Sequence, residues 1–65
     1  MSKNEMRVER ARKKISQQQL ATNVNVSRQT IHAIETEKSE PSLSLAQKIA
    51  RFFGKNTDEI FPQDL

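Results

Sequence analysis

The stretch NVNVSRQTIHAIE, residues 23–35, decides the fold of this chain. It begins with two asparagines between valines and then follows a helical period of about 100° per residue, which places Ile31 and Ile34 on one side. The opposite side carries three residues with long or planar hydrogen-bonding groups: Arg28, Gln29 and His32. The pattern predicts a turn followed by a helix that is anchored along one face and polar along the other.

The predicted turn contains no glycine. Asparagine tolerates the left-handed backbone conformation better than other non-glycine residues, so we expect Asn25 to end the preceding helix. Ser27 is expected to cap the next helix, a contribution of about 1 kcal/mol relative to alanine. Because only a few residues separate the two helices, the sequence predicts a helix-turn-helix crossing.

Two helices are predicted before this turn. The first runs from about Ser2 or Asn4 to Lys13, and its apolar residues have imperfect spacing: Met6, Val8 and Ala11. The second, at about 17–24, has Ser16 as its cap and Gln19 at the capping-box position three residues later. Its predicted buried side chains are Leu20, Ala21 and Val24.

Two more helices are predicted after residue 36. Pro41 interrupts the chain, and Ser42 is expected to cap a fourth helix that ends at Gly54, the only glycine. Its apolar stripe is broad: Leu45, Ala46, Ile49, Ala50, Phe52 and Phe53. Thr57 is expected to cap a short fifth helix. The predicted fold is all-α, with five short helices in one domain over residues 1–65.

Composition limits what such a chain can do. With 65 residues, no cysteine and apolar runs of two or three residues, we expect a cytoplasmic protein without a signal peptide, membrane span or cofactor. Residues 1–38 carry eight Lys/Arg against four Glu, whereas residues 39–65 carry three against four Asp/Glu. This asymmetry suits a nucleic-acid partner, although an ordinary solvated basic face would look the same.

Catalytic chemistry has little support in the sequence. There is one histidine, no cysteine and no tyrosine, and nothing pairs a nucleophile with a base and an orienting group. Clustered metal ligands and a glycine-rich phosphate loop are also absent from the sequence. We therefore expect a binding protein, not an enzyme or a metalloprotein.

The residues of the predicted third helix suit double-stranded DNA. Arginine can bond both O6 and N7 of guanine, and glutamine can bond N6 and N7 of adenine. Arg28 and Gln29 stand in the first turn with His32 one turn later, and the small Ala33 lets the helix approach closely. A capped helix with these groups outward is typical of a recognition helix in the major groove.

At this point a resemblance covers nearly the whole chain. The segments ISQQQLA, NVSRQTIHAIETEK, PSLSLAQKIA and DEIF resemble the Cro/repressor helix-turn-helix family, also called the XRE family. The resemblance implies a five-helix lambda-repressor-like domain that binds operator DNA, usually as a dimer. It identifies the third predicted helix, about 28–36, as the recognition helix, in a bacterial or phage regulator of transcription.

The resemblance also implies roles for individual residues. Base contacts fall on Arg28, Gln29, His32 and Ala33. DNA-backbone contacts fall on Gln17, Ser27, Thr30 and Lys38. Arg10 and Glu35 match an ion pair that ties the first helix to the third. Two positions depart from the glycines of the family pattern, because Asn25 and Glu37 stand where glycine is usual. In addition, Glu9 stands where leucine is common.

Several alternatives stay open from the sequence. His32 could read a base, hold a phosphate or only lie beside them, and the basic run at residues 12–14 could be a solvated face or meet phosphate. Ile60, Phe61 and the tail PQDL could pack internally or form a homodimer contact. A protein-binding module, such as an antitoxin, is the alternative to a repressor.

Overall fold

Side-chain hydrogen bonds cap the starts of four helices and show why those helices begin where they do. In the computed structural model, which describes residues 4–62, the helices are α1 (Met6–Lys13), α2 (Gln17–Val24), α3 (Arg28–Glu35), α4 (Leu43–Phe52) and α5 (Thr57–Ile60). Five short helices were predicted, and the all-α fold class is confirmed. The described residues contain no strand and no helix long and apolar enough to cross a membrane.

Serine caps begin three of the helices, as predicted. The hydroxyls of Ser16, Ser27 and Ser42 each accept a hydrogen bond from the backbone N–H three residues later. At α2 the Gln19 side chain also returns to the Ser16 backbone N–H and completes the capping box. These bonds satisfy amide groups that have no partner inside the helix, so they fix where each helix starts.

The start of α5 differs from the prediction. Asn56, not Thr57, is the capping residue, and Thr57 is the first helical residue. The Asn56 side chain accepts from the Glu59 N–H while the Glu59 carboxylate accepts from the Asn56 N–H. Asn56 and Glu59 have the capping-box spacing, whereas counting from Thr57 leaves Ile60 at the third position.

Left-handed residues stand at or just after the ends of four helices, α1 to α4. Asn25 has φ of 62°, as expected for a turn without glycine, and Gly54 has φ of 69°. Lys14 and Glu37 adopt the same conformation, with φ of 57° and 63°. At each of these positions the following N–H bonds back to a carbonyl in the last helical turn, which closes the helix end.

The five helices enclose one apolar core. Its buried members come from every helix: Met6, Leu20, Ala21, Val24, Ile31, Ile34, Ile49, Ala50, Phe53 and Ile60. Ile60 is fully buried, and Phe61 packs against the core while remaining partly exposed. The predicted start at Ser2 and the tail residues 63–65 lie outside the described residues.

The first helix contributes less apolar surface than predicted. Met6 is fully buried, but Val8 is 42% exposed and Ala11 is exposed. Glu9 takes an inward position instead and pairs with Arg12 at 3.0 Å. Because α1 spans only about two turns, one face meets the core, and that face passes through Met6 and Glu9 rather than Val8 and Ala11.

The start of α1 is tied to two distant elements. The Asn4 side-chain amide donates to the Ile34 carbonyl at 2.8 Å, and the Glu5 backbone N–H donates to the Ile60 carbonyl at 2.8 Å. These two hydrogen bonds join the start of α1 to the ends of α3 and α5.

Candidate nucleic-acid interface

The turn between α2 and α3 sets the direction in which α3 leaves the core. Asn25 reverses the chain in its left-handed conformation, and Val26 then donates its N–H to the Ala21 carbonyl at 3.0 Å. Val26 is partly buried against the core. Ser27 follows immediately as the cap of α3. The turn is therefore built by three consecutive residues, each with a different hydrogen-bonding task.

The two faces of α3 have opposite character. Ile31 and Ile34 are buried, so they anchor the helix along its length. Arg28, Gln29 and His32 are exposed, and Ala33 is half-buried. The helix therefore offers three hydrogen-bonding side chains to an outside partner within its first turn and a half. The helix ends at Glu35, and Thr36 closes it by donating its hydroxyl to the His32 carbonyl at 2.8 Å.

Gln17 links the start of α2 to this outward face. Its amide oxygen accepts from Arg28 Nη1 at 3.3 Å. Its amide nitrogen lies 3.2 Å from Glu35 Oε1 and 3.4 Å from His32 Nδ1. One side chain of α2 thus contacts three residues spaced along α3. From the sequence, Gln17 and His32 were expected to have separate roles, and no pattern indicated that their side chains are in contact.

Glu35 is held from the opposite direction by Arg10 of α1. Arg10 donates two hydrogen bonds to the Glu35 carboxylate, one of them from Nη2 to Oε1 at 3.0 Å, and a third to the Ile15 carbonyl at 3.0 Å. The Glu35 side chain is only 1% exposed and that of Arg10 17%. The hydrogen bonds that Arg10 donates to the Glu35 carboxylate raise the pKa of Arg10 above its ordinary value, and partial burial opposes this shift. Arg10 therefore stays charged at every working pH.

The remaining predicted backbone contacts border α3 at both ends. Ser27 and Thr30 hydroxyls lie 2.9 Å apart at its start. Lys38 is exposed just beyond its end, where its backbone N–H donates to the Ala33 carbonyl at 2.9 Å. Glu37 precedes Lys38 with a left-handed backbone and is partly buried. A negatively charged residue is therefore adjacent to Lys38 in the chain.

Two members of the basic run at residues 12–14 have partners within the protein. Arg12 pairs with Glu9, and Lys13 Nζ lies 5.5 Å from the centre of the Phe52 ring. The ring centres of Phe52 and Phe53 lie 5.2 Å apart in an edge-to-face arrangement, so both aromatic rings contribute to packing. Among residues 4–62 no group of histidine, aspartate and glutamate side chains is arranged to hold a metal ion.

Side-chain contacts thus connect five residues of α1, α2 and α3: Arg10, Gln17, Arg28, His32 and Glu35. Because a short turn at residues 25–27 joins α2 to α3, these two helices form a helix-turn-helix. A helix-turn-helix family model matches residues 6–60, and the chain belongs to that family.

Proteins similar to this chain occur in archaea and bacteria, and their names describe HTH-type transcriptional regulators. An uncharacterized HTH-type transcriptional regulator of Methanocaldococcus jannaschii is 51% identical over 59 residues, covering 91% of this chain and 89% of the relative. The regulator YgzD of Bacillus subtilis is 42% identical with the same coverage, and one from Archaeoglobus fulgidus is 46% identical over 52 residues.

Proposed function

We propose that this protein is a transcriptional repressor that binds a pseudo-palindromic DNA operator as a homodimer. The observation that carries the proposal is the division of α3, where Ile31 and Ile34 are buried while Arg28, Gln29 and His32 are exposed. An exposed helix of this kind fits the major groove, where arginine and glutamine can each form two bonds to one base.

Direct reading of bases falls to the outward side chains: Arg28, Gln29, His32 and Ala33. The half-buried Ala33 brings no long side chain, so the helix axis can approach the base edges. Gln17, Ser27, Thr30 and Lys38 surround this face, and we assign them to the DNA backbone. Contacts to phosphate fix the register of the helix, and contacts to base edges choose the sequence.

Dimerisation follows from the small size of the reading surface. One α3 reaches only a few base pairs, so a monomer would bind weakly. A two-fold dimer would place two copies of α3 about 34–36 Å apart, one turn of B-DNA. The proposal therefore requires a site with two half-sites whose centres are about 10 base pairs apart.

Selection of bound duplexes from a random pool, followed by footprinting, tests the proposal. We expect one enriched motif with two-fold symmetry. Enrichment of no motif, or binding only to a protein partner, would reject the proposal in favour of an interaction module.

The role of Arg28 can be measured on the selected site. Arg28→Ala should weaken binding by roughly 1–3 kcal/mol and relax the preference at one base position per half-site. Lys38→Ala is the control, because loss of a phosphate contact weakens selected and random duplexes alike. Equal losses on both kinds of duplex for Arg28→Ala would show that Arg28 does not read a base.

A further inference from the structure

The amide of Gln17 is surrounded by three groups whose hydrogen-bonding capacities differ. Arg28 Nη1 lies 3.3 Å from the amide oxygen. Glu35 Oε1 lies 3.2 Å and His32 Nδ1 lies 3.4 Å from the amide nitrogen. Since Gln17 belongs to α2 and its three neighbours belong to α3, the turn between the helices fixes these contacts.

Chemistry alone decides which way the amide points. A guanidinium can only donate hydrogen bonds, so the atom that faces Arg28 must be the oxygen. The Glu35 carboxylate, paired with Arg10, only accepts, so the atom that faces it must be the nitrogen. The amide nitrogen has two hydrogens, one for Glu35 and one for His32.

This orientation constrains the imidazole ring. The Gln17 amide nitrogen can only donate and lies 3.4 Å from His32 Nδ1, so a hydrogen bond between them requires Nδ1 to accept and to carry no proton. In the neutral ring the single proton then lies on Nε2, across the ring from Gln17. We propose that Gln17 is a positioning residue that fixes His32 in the Nε2–H tautomer, so that His32 reads a hydrogen-bond acceptor on a base edge.

The tautomer determines what His32 can recognise in a major groove, and this step rests on the proposed function. An Nε2–H donor pairs with N7 of a purine, O6 of guanine or O4 of thymine. It cannot form a hydrogen bond with the amino groups at cytosine N4 or adenine N6, because those groups are also donors. Gln17 would thereby influence base choice without touching a base.

Gln17→Glu tests the tautomer in the free protein. Glutamate has the same shape as glutamine but presents an acceptor to His32 Nδ1, and it suits the first turn of a helix. It also places a second carboxylate beside that of Glu35, and the neighbouring guanidiniums of Arg10 and Arg28 offset the added charge. Gln18→Glu is the matched control, because it makes the same change of charge at an exposed residue of the same helical turn. Within residues 4–62, the Gln18 side chain donates a hydrogen bond to Thr22 and to no residue of α3. The measurement is the pair of 15N chemical shifts of the His32 ring, taken above about pH 8, where histidine is ordinarily neutral.

We expect the proton on Nε2 in the wild type and in Gln18→Glu, and on Nδ1 in Gln17→Glu. Gln17→Ala removes the donor without adding an acceptor, so the ring should become a mixture of tautomers. A proton on Nδ1 in the wild type would overturn the inference. So would a ring that keeps Nε2–H in Gln17→Glu to the same extent as in the control.

Selection from a random duplex pool at the same pH tests the reading of bases. In Gln17→Glu the preference at one position per half-site should move to a base that offers an amino donor, with relative affinities changing roughly 5- to 100-fold. His32→Ala should abolish the preference at that position. A purely phosphate-binding Gln17 predicts instead that Gln17→Glu weakens all sequences alike and leaves their ranking unchanged.

These outcomes separate the two proposals. If the wild type selects no sequence, the proposed function and the base reading by His32 fail together. If the wild type selects a motif and Gln17→Glu selects the same motif, the role given to Gln17 fails while the proposed function stands.

Discussion

Among residues 4–62, three residues other than glycine adopt a backbone conformation that normally favours glycine. Lys14 and Asn25 cap the ends of α1 and α2 with φ of 57° and 62°, and Glu37, with φ of 63°, follows the Thr36 cap of α3. A left-handed conformation costs an L-residue roughly 1–2 kcal/mol, with asparagine less affected than lysine or glutamate. The chain accepts this cost at three helix ends because each turn returns hydrogen bonds to the helix it closes.

Replacement of these residues by glycine should stabilise the protein. We expect Lys14→Gly and Glu37→Gly to raise the free energy of unfolding by about 0.5–1 kcal/mol, after allowing for the greater freedom of glycine in the unfolded chain. Asn25→Gly should be neutral or slightly stabilising. Urea unfolding of the three variants measures this order, and a clear loss for Asn25→Gly would contradict our account of the turn.

We expect the negative charge of Glu37 to affect DNA binding, and this effect can be measured separately from backbone strain. Glu37→Gln removes the charge beside Lys38 and keeps a side chain in the left-handed position. We expect its DNA affinity to rise while its stability stays within about 0.5 kcal/mol of wild type, as for most surface changes. Glu37→Gly should show both effects. Measured binding of Glu37→Gln that equals wild type would mean that this carboxylate lies too far from DNA to matter.

At the scale of the helix, the caps connect stability to recognition. Ser27→Ala should cost about 1 kcal/mol of stability and loosen the first turn of α3, where Arg28 and Gln29 stand. Ser42→Ala removes an equivalent cap from α4 and is the matched comparison. Chemical unfolding and sequence selection on both variants test this. Equal stability losses with equal effects on selectivity would show that the order of the first turn of α3 is not needed for reading.

The Arg10–Glu35 pair joins α1 to α3 and should be costly to break. Arg10→Ala leaves a carboxylate that is almost fully enclosed, and we expect a loss of about 3 kcal/mol, the lower end for breaking buried pairs. The double variant Arg10→Met, Glu35→Leu should recover most of that stability because it leaves no unpaired charge. Thermal unfolding of the single and double variants checks this, and a double variant no more stable than Arg10→Ala would contradict it.

Over the whole molecule, the salt dependence of DNA binding gives a test of oligomeric state. Each neutralised phosphate contributes about 0.9 to the slope of log affinity against log salt concentration. If Lys38 meets one phosphate per protomer, Lys38→Ala should reduce that slope by about 1.8 for a dimer and about 0.9 for a monomer. Salt titrations of binding on the selected operator measure the difference. An unchanged slope would remove Lys38 from the interface.

The helices were predictable because their signals are local. Serine caps at residues 16, 27 and 42, Asn25 in the turn and Gly54 at the end of α4 stand where the sequence indicated. The exposed and buried faces of α3 also follow from residue type and spacing. The first helix was less predictable, because Val8 and Ala11 are apolar but fall outside the narrow strip of α1 that meets the core.

The sequence by itself thus determined the helices, the turn and the side chains that face outward on α3, since hydrogen bonds within a few residues and helical period set all of them. Only the tertiary structure decided that Gln17 meets Arg28, His32 and Glu35, which lie 11 to 18 residues away. Those contacts depend on how α2 and α3 cross, and buried side chains from all five helices fix that crossing. A local pattern contains no information about such an angle, so the tautomer that we assign to His32 could be inferred only from the folded molecule.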